Sequence, residues 1–115
     1  MVVDLIAPEL TDADVDRLFR ALADATRRDI VRRTLADDAS ITELAADYDM
    51  SFAAVQKHVA VLEEAGLVTK HRSGRERIVR GEPAAIRRAQ QLLDQLGALW
   101  RGRVEQLDAL LADGF

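Results

Sequence analysis

The sequence predicts a mainly α-helical fold with one small β-hairpin, in the order α-α-α-α-β-β-α, that pairs with a second copy of itself. Three observations predict it. Apolar residues recur at helical spacing through residues 12–65, two short β-favouring runs flank Ser73 and Gly74, and a long apolar stripe extends to about residue 112. Since the 115 residues contain no repeat, linker or low-complexity stretch, we expect one domain that spans residues 1–115.

The composition excludes several classes of protein and indicates a charged partner. The chain has no cysteine, which excludes disulfides and thiolate metal sites, and we expect a cytoplasmic protein. No apolar run approaches the roughly 20 residues that span a bilayer, and the first residues lack the basic segment of a secretory signal, so we expect neither membrane binding nor export. The net charge is −4, yet residues 67–80 contain five basic residues against one acidic residue. This local patch favours duplex DNA as the partner.

Capping signals predict the first two helices. Thr11 and Asp14 have the spacing of a capping box, which starts a first helix over about residues 12–22. Asp24 is a suitable cap for a second helix that ends near Leu35. The residues expected to face inward on the second helix are Ile30, Val31 and Leu35.

Two further helices form a candidate helix-turn-helix over about residues 41–65. Ser40 caps the first, with Ile41, Leu44 and Ala45 inward, and Ser51 caps the second, which runs to Ala65 before Gly66. Counted from Ile41, the motif places a small residue (Ala45) fifth and a β-branched residue (Val55) fifteenth. The ninth position, where glycine is preferred, is Asp49, a residue that tolerates positive φ better than most. An ordinary pair of packed helices is the alternative.

The helix that begins after Ser51 has two distinct faces. Val55, Val59 and Leu62 are predicted to form a buried stripe, and the opposite face carries Ala53, Gln56, Lys57 and Ala60. In a major groove, Gln56 suits an adenine edge, Lys57 a phosphate or guanine, and Ala53 a thymine methyl or close approach. Ser51 and the first free amides of the helix suit a phosphate. The alternative is a face that only contacts water.

The hairpin, over about residues 67–80, is the candidate wing. Strand alternation predicts Arg75, Arg77 and Val79 on one face, and Glu76, Ile78 and Arg80 on the other. Arg75 and Arg77, with Arg72 on the facing strand, are candidates for phosphate or minor-groove contacts. Protection of an exposed sheet edge by charge is the alternative role for these arginines.

The last helix is predicted over about residues 84–112. Its apolar stripe is too long for a domain of this size to cover, so the same helix of a second subunit is the simplest cover, although packing on its own core is the alternative. Gly97 and Gly102 allow close approach of a partner helix near Trp100. The stripe residues expected at this interface are Leu93, Leu96, Trp100, Val104 and Leu107.

Taken together, these segments resemble the metal-free branch of the ArsR/SmtB family of winged helix-turn-helix repressors. The resemblance covers about residues 15–110 and is carried by residues 18–30 (LFRALADATRRDI), 42–45 (TELA), 50–68 (MSFAAVQKHVAVLEEAGLV) and 74–77 (GRER). The chain departs from the family at Ala25, where proline is common, near Ile78 and Val79, where aromatic residues are common, and at Arg80, which replaces an apolar residue. The resemblance implies a homodimer built from the first and last helices, which adds Val15, Leu18 and Phe19 to the interface. It also implies a repressor that binds a DNA operator.

Other activities lack the residues that they need. The family's metal sensors use a cysteine pair or ligands on the last helix, which here has no histidine and only Asp94-Gln95-Leu96, so we expect no metal and no cofactor. His58 is predicted to pack or to contact a phosphate. It has no neighbouring nucleophile or carboxylate pair, so we expect no catalytic residue. A winged-helix module that binds protein and not DNA is the alternative function.

Overall fold

The computed structural model describes residues 10–114, with side chains up to residue 113. Within this range the helices are α1 (Asp12–Leu22), α2 (Ala25–Ala36), α3 (Ile41–Asp47), α4 (Phe52–Glu64) and α5 (Pro83–Gly114). The three strands are β1 (Ala39–Ser40), β2 (Val68–Ser73) and β3 (Glu76–Gly81). The predicted order of helices and hairpin is confirmed, with β1 as an addition that the sequence did not signal. No helix among these residues is long and apolar enough to cross a membrane.

Side chains cap the helices where the sequence predicts. Thr11 and Asp14 form a reciprocal capping box at the start of α1, with both hydrogen bonds at 3.1 Å. Ser40 and Glu43 form another at the start of α3, with both bonds at 3.0 Å. Each box satisfies amide groups that have no partner within the helix, and so defines where the helix begins.

The end of α4 is a Schellman motif centred on Gly66. The amide of Gly66 donates to the carbonyl of Glu63 at 3.0 Å, and that of Leu67 donates to Leu62 at 3.0 Å. Gly66 has a φ of +77°, which strains any residue with a Cβ atom. Leu62 and Leu67 are both fully buried, so the motif turns the chain from α4 into the sheet inside the core.

The sheet has the order β1-β3-β2 and is antiparallel throughout. Ser73 pairs with Glu76 across a two-residue turn, in which only Gly74 has a positive φ (+63°), as in a type II′ turn. β1 adds two residues to the other edge of β3, where Ala39 faces Val79. The sheet thereby ties the hairpin to the segment that leads into α3.

One core lies between the helices and the inner face of the sheet. Its fully buried large side chains are Leu18, Ile30, Leu44, Val55, Val59, Leu62, Leu67, Val68 and Val79. The prediction that Leu35 faces inward is wrong, because its side chain is 42% exposed and lies beside Gly81 at the margin of the core. Thr34 is buried instead, and its hydroxyl donates to the carbonyl of Ile30 at 2.8 Å, so this polar group is satisfied within α2.

Only the beginning of α5 belongs to this core. Ala85 and Ala89 are buried, and Ile86 packs against the core from the same two turns. The remainder of the 32-residue helix extends away, and the longest dimension of the molecule is 69 Å. The large apolar side chains beyond Ala89 are therefore mostly exposed in the single chain.

Candidate nucleic-acid interface

The predicted helix-turn-helix is formed by α3 and α4, which pack through buried Ile41, Leu44 and Val55. The turn between them closes with a hydrogen bond of 2.9 Å from the amide of Met50 to the carbonyl of Tyr48. No residue other than glycine has a positive φ within residues 10–114, so the turn does not use a left-handed conformation at Asp49. An extended Tyr48 (φ −110°, ψ 142°) makes the change of direction, which explains why glycine is not required at the ninth position.

The turn is fixed by polar contacts of Tyr48. Its hydroxyl donates to the carboxylate of Asp29 on α2, and the guanidinium of Arg33 lies 5.6 Å from the centre of its ring. Burial and then the bond to Asp29 raise the pKa of Tyr48, so the phenol stays protonated at neutral pH. Arg33 also pairs with Asp47 at the end of α3 at 2.8 Å. α2 therefore holds the helix-turn-helix in place from behind.

The exposed face of α4 has the predicted composition. Val55, Val59 and Leu62 are fully buried, whereas Ala53, Gln56, Lys57 and Ala60 are exposed. Within the described residues, neither Gln56 nor Lys57 has a side-chain hydrogen bond or an ion pair, so their polar groups are available to a ligand. The oxygen of Ser51 accepts the amide of Ala54 at 3.1 Å, which leaves its hydroxyl proton free to donate to a phosphate.

The basic residues of the hairpin divide into two groups. Lys70 pairs with Glu63 on α4 at 3.4 Å. Arg80 donates three hydrogen bonds to the carboxylate of Asp38, at 2.8, 3.0 and 3.3 Å, and these bonds lower the pKa of that carboxyl. The other three, Arg72, Arg75 and Arg77, are exposed and have no ion pair in the part of the chain that the structure describes. Two cations thus anchor the hairpin to the domain, and three remain for an anionic partner.

The hairpin places its arginines beside α4. Arg75 and Arg77 line a shallow open groove, of about 210 Å³, together with Gln56 from α4. The other residues that line it are Ile41, Thr42, Phe52 and Glu76. Arg72 faces Arg77 directly across the two strands. The structure therefore brings together Gln56 and the wing arginines. Thr42 and Phe52 are additions that the sequence analysis missed, because the face assignment of α4 considered one helix alone.

His58 lies on the other flank of α4, against the junction of α1 and α2. Its Nδ1 atom is 3.3 Å from a guanidinium nitrogen of Arg27 and 4.0 Å from a carboxylate oxygen of Asp24. Arg27 also donates to the carbonyls of Ala21 and Arg20, at 2.7 and 3.1 Å. The pKa of Asp24 is lowered, chiefly by the backbone amide of Arg27. These contacts favour the packing role of His58 over the phosphate contact.

The side chains predicted at a subunit interface have different exposures. Leu93, Leu96, Trp100 and Leu107 on α5 are 48–64% exposed, and Phe19 on α1 is 36% exposed. Val15 and Val104 are partly buried. Leu18 requires a correction, because it is 1% exposed in the single chain and belongs to the subunit's own core. A side chain that is already covered has no surface left for a partner.

No cluster of three or more histidine, aspartate or glutamate side chains has an arrangement that could hold a metal ion within residues 10–114. The interface is thus described by hydrogen-bond donors and acceptors, cations and one exposed aromatic ring.

Comparisons with known proteins agree with this geometry. A family described as a helix-turn-helix domain matches residues 22–71, which include α2 to α4 and the beginning of the first strand of the hairpin. A helix-turn-helix transcriptional regulator of Mycobacterium tuberculosis (Rv2034) is 38% identical over 80 residues, which are 70% of this chain and 75% of that protein.

Solved structures extend the similarity beyond the matched segment. An ArsR-like transcriptional regulator from Rhodococcus sp. RHA1 superposes with a TM-score of 0.77 at 30% identity, over 90% of this chain and 96% of that one. A homodimeric winged helix-turn-helix DNA-binding domain from Mycobacterium bovis has the same fold, with a TM-score of 0.60 at 22% identity, over 80% of this chain and 93% of that one.

Proposed function

This chain belongs to the ArsR family of winged helix-turn-helix transcriptional regulators, and we propose that it is a homodimeric repressor that binds a duplex DNA operator. In this proposal α4 is the recognition helix, which enters the major groove. The hairpin is the wing, whose arginines contact the phosphate backbone or the minor groove.

One observation supports the DNA-binding role above the others. Gln56, Arg75 and Arg77 line the same groove, although they come from separate elements of a chain with a net charge of −4. A glutamine amide offers a donor and an acceptor side by side, which matches an adenine edge, whereas arginines neutralise phosphates whatever the sequence. The groove thus combines a base-contacting group with groups that supply affinity.

The homodimer is proposed from the uncovered stripe of α5. Trp100 is 64% exposed and lies on the same stripe as Leu93 and Leu107, one heptad away on each side. Monomeric proteins rarely leave such a contiguous apolar patch in water. A second α5 is the cover that has a matching pattern and length, and the M. bovis domain of the same fold is a homodimer. Two recognition helices related by a twofold axis would bind two half-sites.

We also propose that the chain acts in the cytoplasm, has no catalytic activity and senses no metal through thiolates or ligands on α5. The absence of cysteine from the sequence and of histidine from residues 83–114 supports the last point. Repression itself rests on the family resemblance, since a dimer bound at an operator excludes other proteins from the DNA that it covers.

The test is selection of duplex sequences by the purified protein, followed by binding measurements on the selected duplex. We expect affinity to fall steeply with salt, in proportion to the number of phosphates contacted. Gln56→Ala should change the preferred base at one position, by about 1–3 kcal/mol, whereas Arg77→Ala should weaken binding to all duplexes alike.

Gln95→Ala on α5 is the matched control, because it removes an exposed glutamine far from the groove and should change neither property. Unaltered sequence preference in Gln56→Ala would refute the assignment of α4 as the recognition helix. Absent or salt-insensitive binding to every duplex would favour the alternative, a winged-helix module that binds protein.

A further inference from the structure

Phe52 is an exposed aromatic residue in a groove whose other exposed lining residues are polar or charged. It is the first residue of α4, its side chain is 47% exposed, and it lines the groove with Gln56, Arg75 and Arg77. The position is one turn of helix before Gln56, so both side chains lie on the same face of α4. The ring is therefore placed to meet the same ligand as the Gln56 amide.

Residues 10–114 leave about half of the Phe52 surface uncovered. Phe52 does not belong to the buried core, nor to the side chains that pack directly against it. Among residues 10–114, the cation–π contact is that of Arg33 with the ring of Tyr48. The guanidinium groups of the wing arginines therefore do not stack on the ring of Phe52. The stripe on α5 explains the exposed apolar residues there, but Phe52 lies on a different element.

We propose that Phe52 is a specificity-determining residue that contacts the 5-methyl group of a thymine in the major groove. The inference rests on the proposed function, in which α4 enters that groove. A phenyl ring has no hydrogen-bonding group, and the thymine methyl is the apolar feature that the major groove presents, so a ring held there favours thymine over cytosine. A phosphate, by contrast, gains nothing from an apolar neighbour.

The spacing on α4 predicts where this thymine lies. Phe52 and Gln56 are four residues apart, or about 6 Å along the helix axis at 1.5 Å per residue. This distance is close to two base steps, since successive phosphates of one strand are about 3.4 Å apart along the duplex. The preferred half-site should therefore contain a thymine within about two base steps of the adenine that Gln56 contacts.

The experiment removes the methyl group from the DNA. Each thymine of the selected duplex is replaced in turn by deoxyuridine, which keeps the base pair and loses only the 5-methyl group. For the wild-type protein, one substitution near the Gln56-dependent position should weaken binding about fourfold, the factor expected for one buried methyl group. For Phe52→Ala, the same substitution should have no effect, because the ring that contacts the methyl group is absent.

Three further variants make the result specific. Phe52→Leu keeps an apolar side chain and should retain part of the fourfold difference. Ala53→Gly tests the neighbouring residue that could also contact a methyl group, and it should leave the difference unchanged. Val61→Ala removes another exposed apolar group from α4, outside the groove, and should also leave it unchanged.

The outcomes separate this inference from the proposed function. If no duplex is bound specifically, the proposed function fails and the inference fails with it. If the duplex is bound but no deoxyuridine position distinguishes the wild type from Phe52→Ala, the proposed function stands and the thymine contact is wrong. A difference that disappears in Ala53→Gly and persists in Phe52→Ala assigns the methyl contact to Ala53 and overturns the inference. Thermal unfolding of each variant excludes misfolding as the cause.

Discussion

Helices α4 and α5 have the same apolar periodicity but opposite environments. The stripe of α4, formed by Val55, Val59 and Leu62, is completely buried by the rest of the chain. The stripe of α5 is 54% exposed at Leu93 and 64% exposed at Trp100. Spacing alone therefore predicts that a stripe will be covered, but it does not say whether the same chain provides the cover.

The difference follows from what surrounds each helix. α4 lies between α2, α3 and the hairpin, and the Schellman motif at Gly66 returns the chain directly to the core. α5 leaves the core after Ala89, and no other element among residues 10–114 covers its exposed stripe. The contribution of the α4 stripe to the free energy of unfolding should thus be independent of protein concentration. The contribution of the α5 stripe should depend on association with a second chain, and so on concentration.

The largest expected effect is that of Trp100→Asp. An aspartate at the centre of the proposed interface would be buried without a partner, which should weaken the dimer by about 4 kcal/mol, or roughly a thousandfold. Analytical ultracentrifugation over a range of concentrations measures this, and circular dichroism should show a folded monomer. Gln95→Asp, on the polar side of α5, is the control. An unchanged dimer in Trp100→Asp would remove the distinction between the two helices.

Leu62→Ala addresses the buried stripe. Removal of a fully buried leucine should lower the free energy of unfolding by about 3 kcal/mol, through lost apolar burial and the cavity left behind. Because the site lies within one chain, the loss should be the same at all protein concentrations in urea unfolding. Val61→Ala removes an exposed neighbour and should cost much less. A loss that grows on dilution would contradict the assignment of this stripe to the single chain.

Gly81→Ala tests the joint between the core and α5. A Cβ atom there would lie 2.7 Å from the backbone nitrogen of Leu35, so β3 or α2 must move. We expect a loss of about 2 kcal/mol in urea unfolding, as for other overpacked sites. At Gly102, a Cβ atom meets nothing within 4 Å in the single chain, so Gly102→Ala should instead stabilise α5 by up to about 1 kcal/mol. A weaker dimer in that control would show that the partner helix needs the glycine.

The smallest expected effect is at Asp24, which caps α2 beside His58 on the polar flank of α4. Asp24→Ala should lower the free energy of unfolding by about 1 kcal/mol, whereas Asp24→Asn should keep most of this stabilisation, because asparagine also caps helices well. The folded pKa of Asp24 lies below its ordinary value of 3.8, so its charge stabilises the fold above that pH and the contribution is lost as pH falls through the folded value. The free energy of unfolding should therefore fall more steeply with decreasing pH in the wild type than in Asp24→Asn. An equal pH dependence would show that the charge of Asp24 does not stabilise the fold.

Local chemistry made most of the fold predictable. The capping boxes at Thr11 and Ser40 and the glycine after α4 are signals within a few residues, and each appears in the structure where expected. β1 was not predictable in this way, because Ala39 and Ser40 become a strand only through pairing with β3, about 40 residues later. The exposure of Leu35 likewise depends on the position of β3 against α2, which no local pattern specifies.

The candidate site shows the same limit. Gln56, Lys57 and the three wing arginines were identified from helix and strand periodicity, whereas the groove that unites Gln56 with Arg75 and Arg77 depends on the packing of two distant segments. Helix periodicity assigns Phe52 to neither face of α4. Its place beside Arg75 and Arg77 follows from the position of the hairpin. Leu18 was placed at a subunit interface by resemblance, but the single chain buries it completely.

The facing pair of arginines in the wing has a consequence for the energy of the free protein. Arg72 and Arg77 are directly opposite on adjacent strands, and like charges so placed repel each other. An anion between them removes that repulsion, so duplex binding and hairpin stability are thermodynamically linked. Amide hydrogen exchange in β2 and β3 should therefore slow on binding by more than simple shielding explains, and raised salt should slow it in the free chain as well.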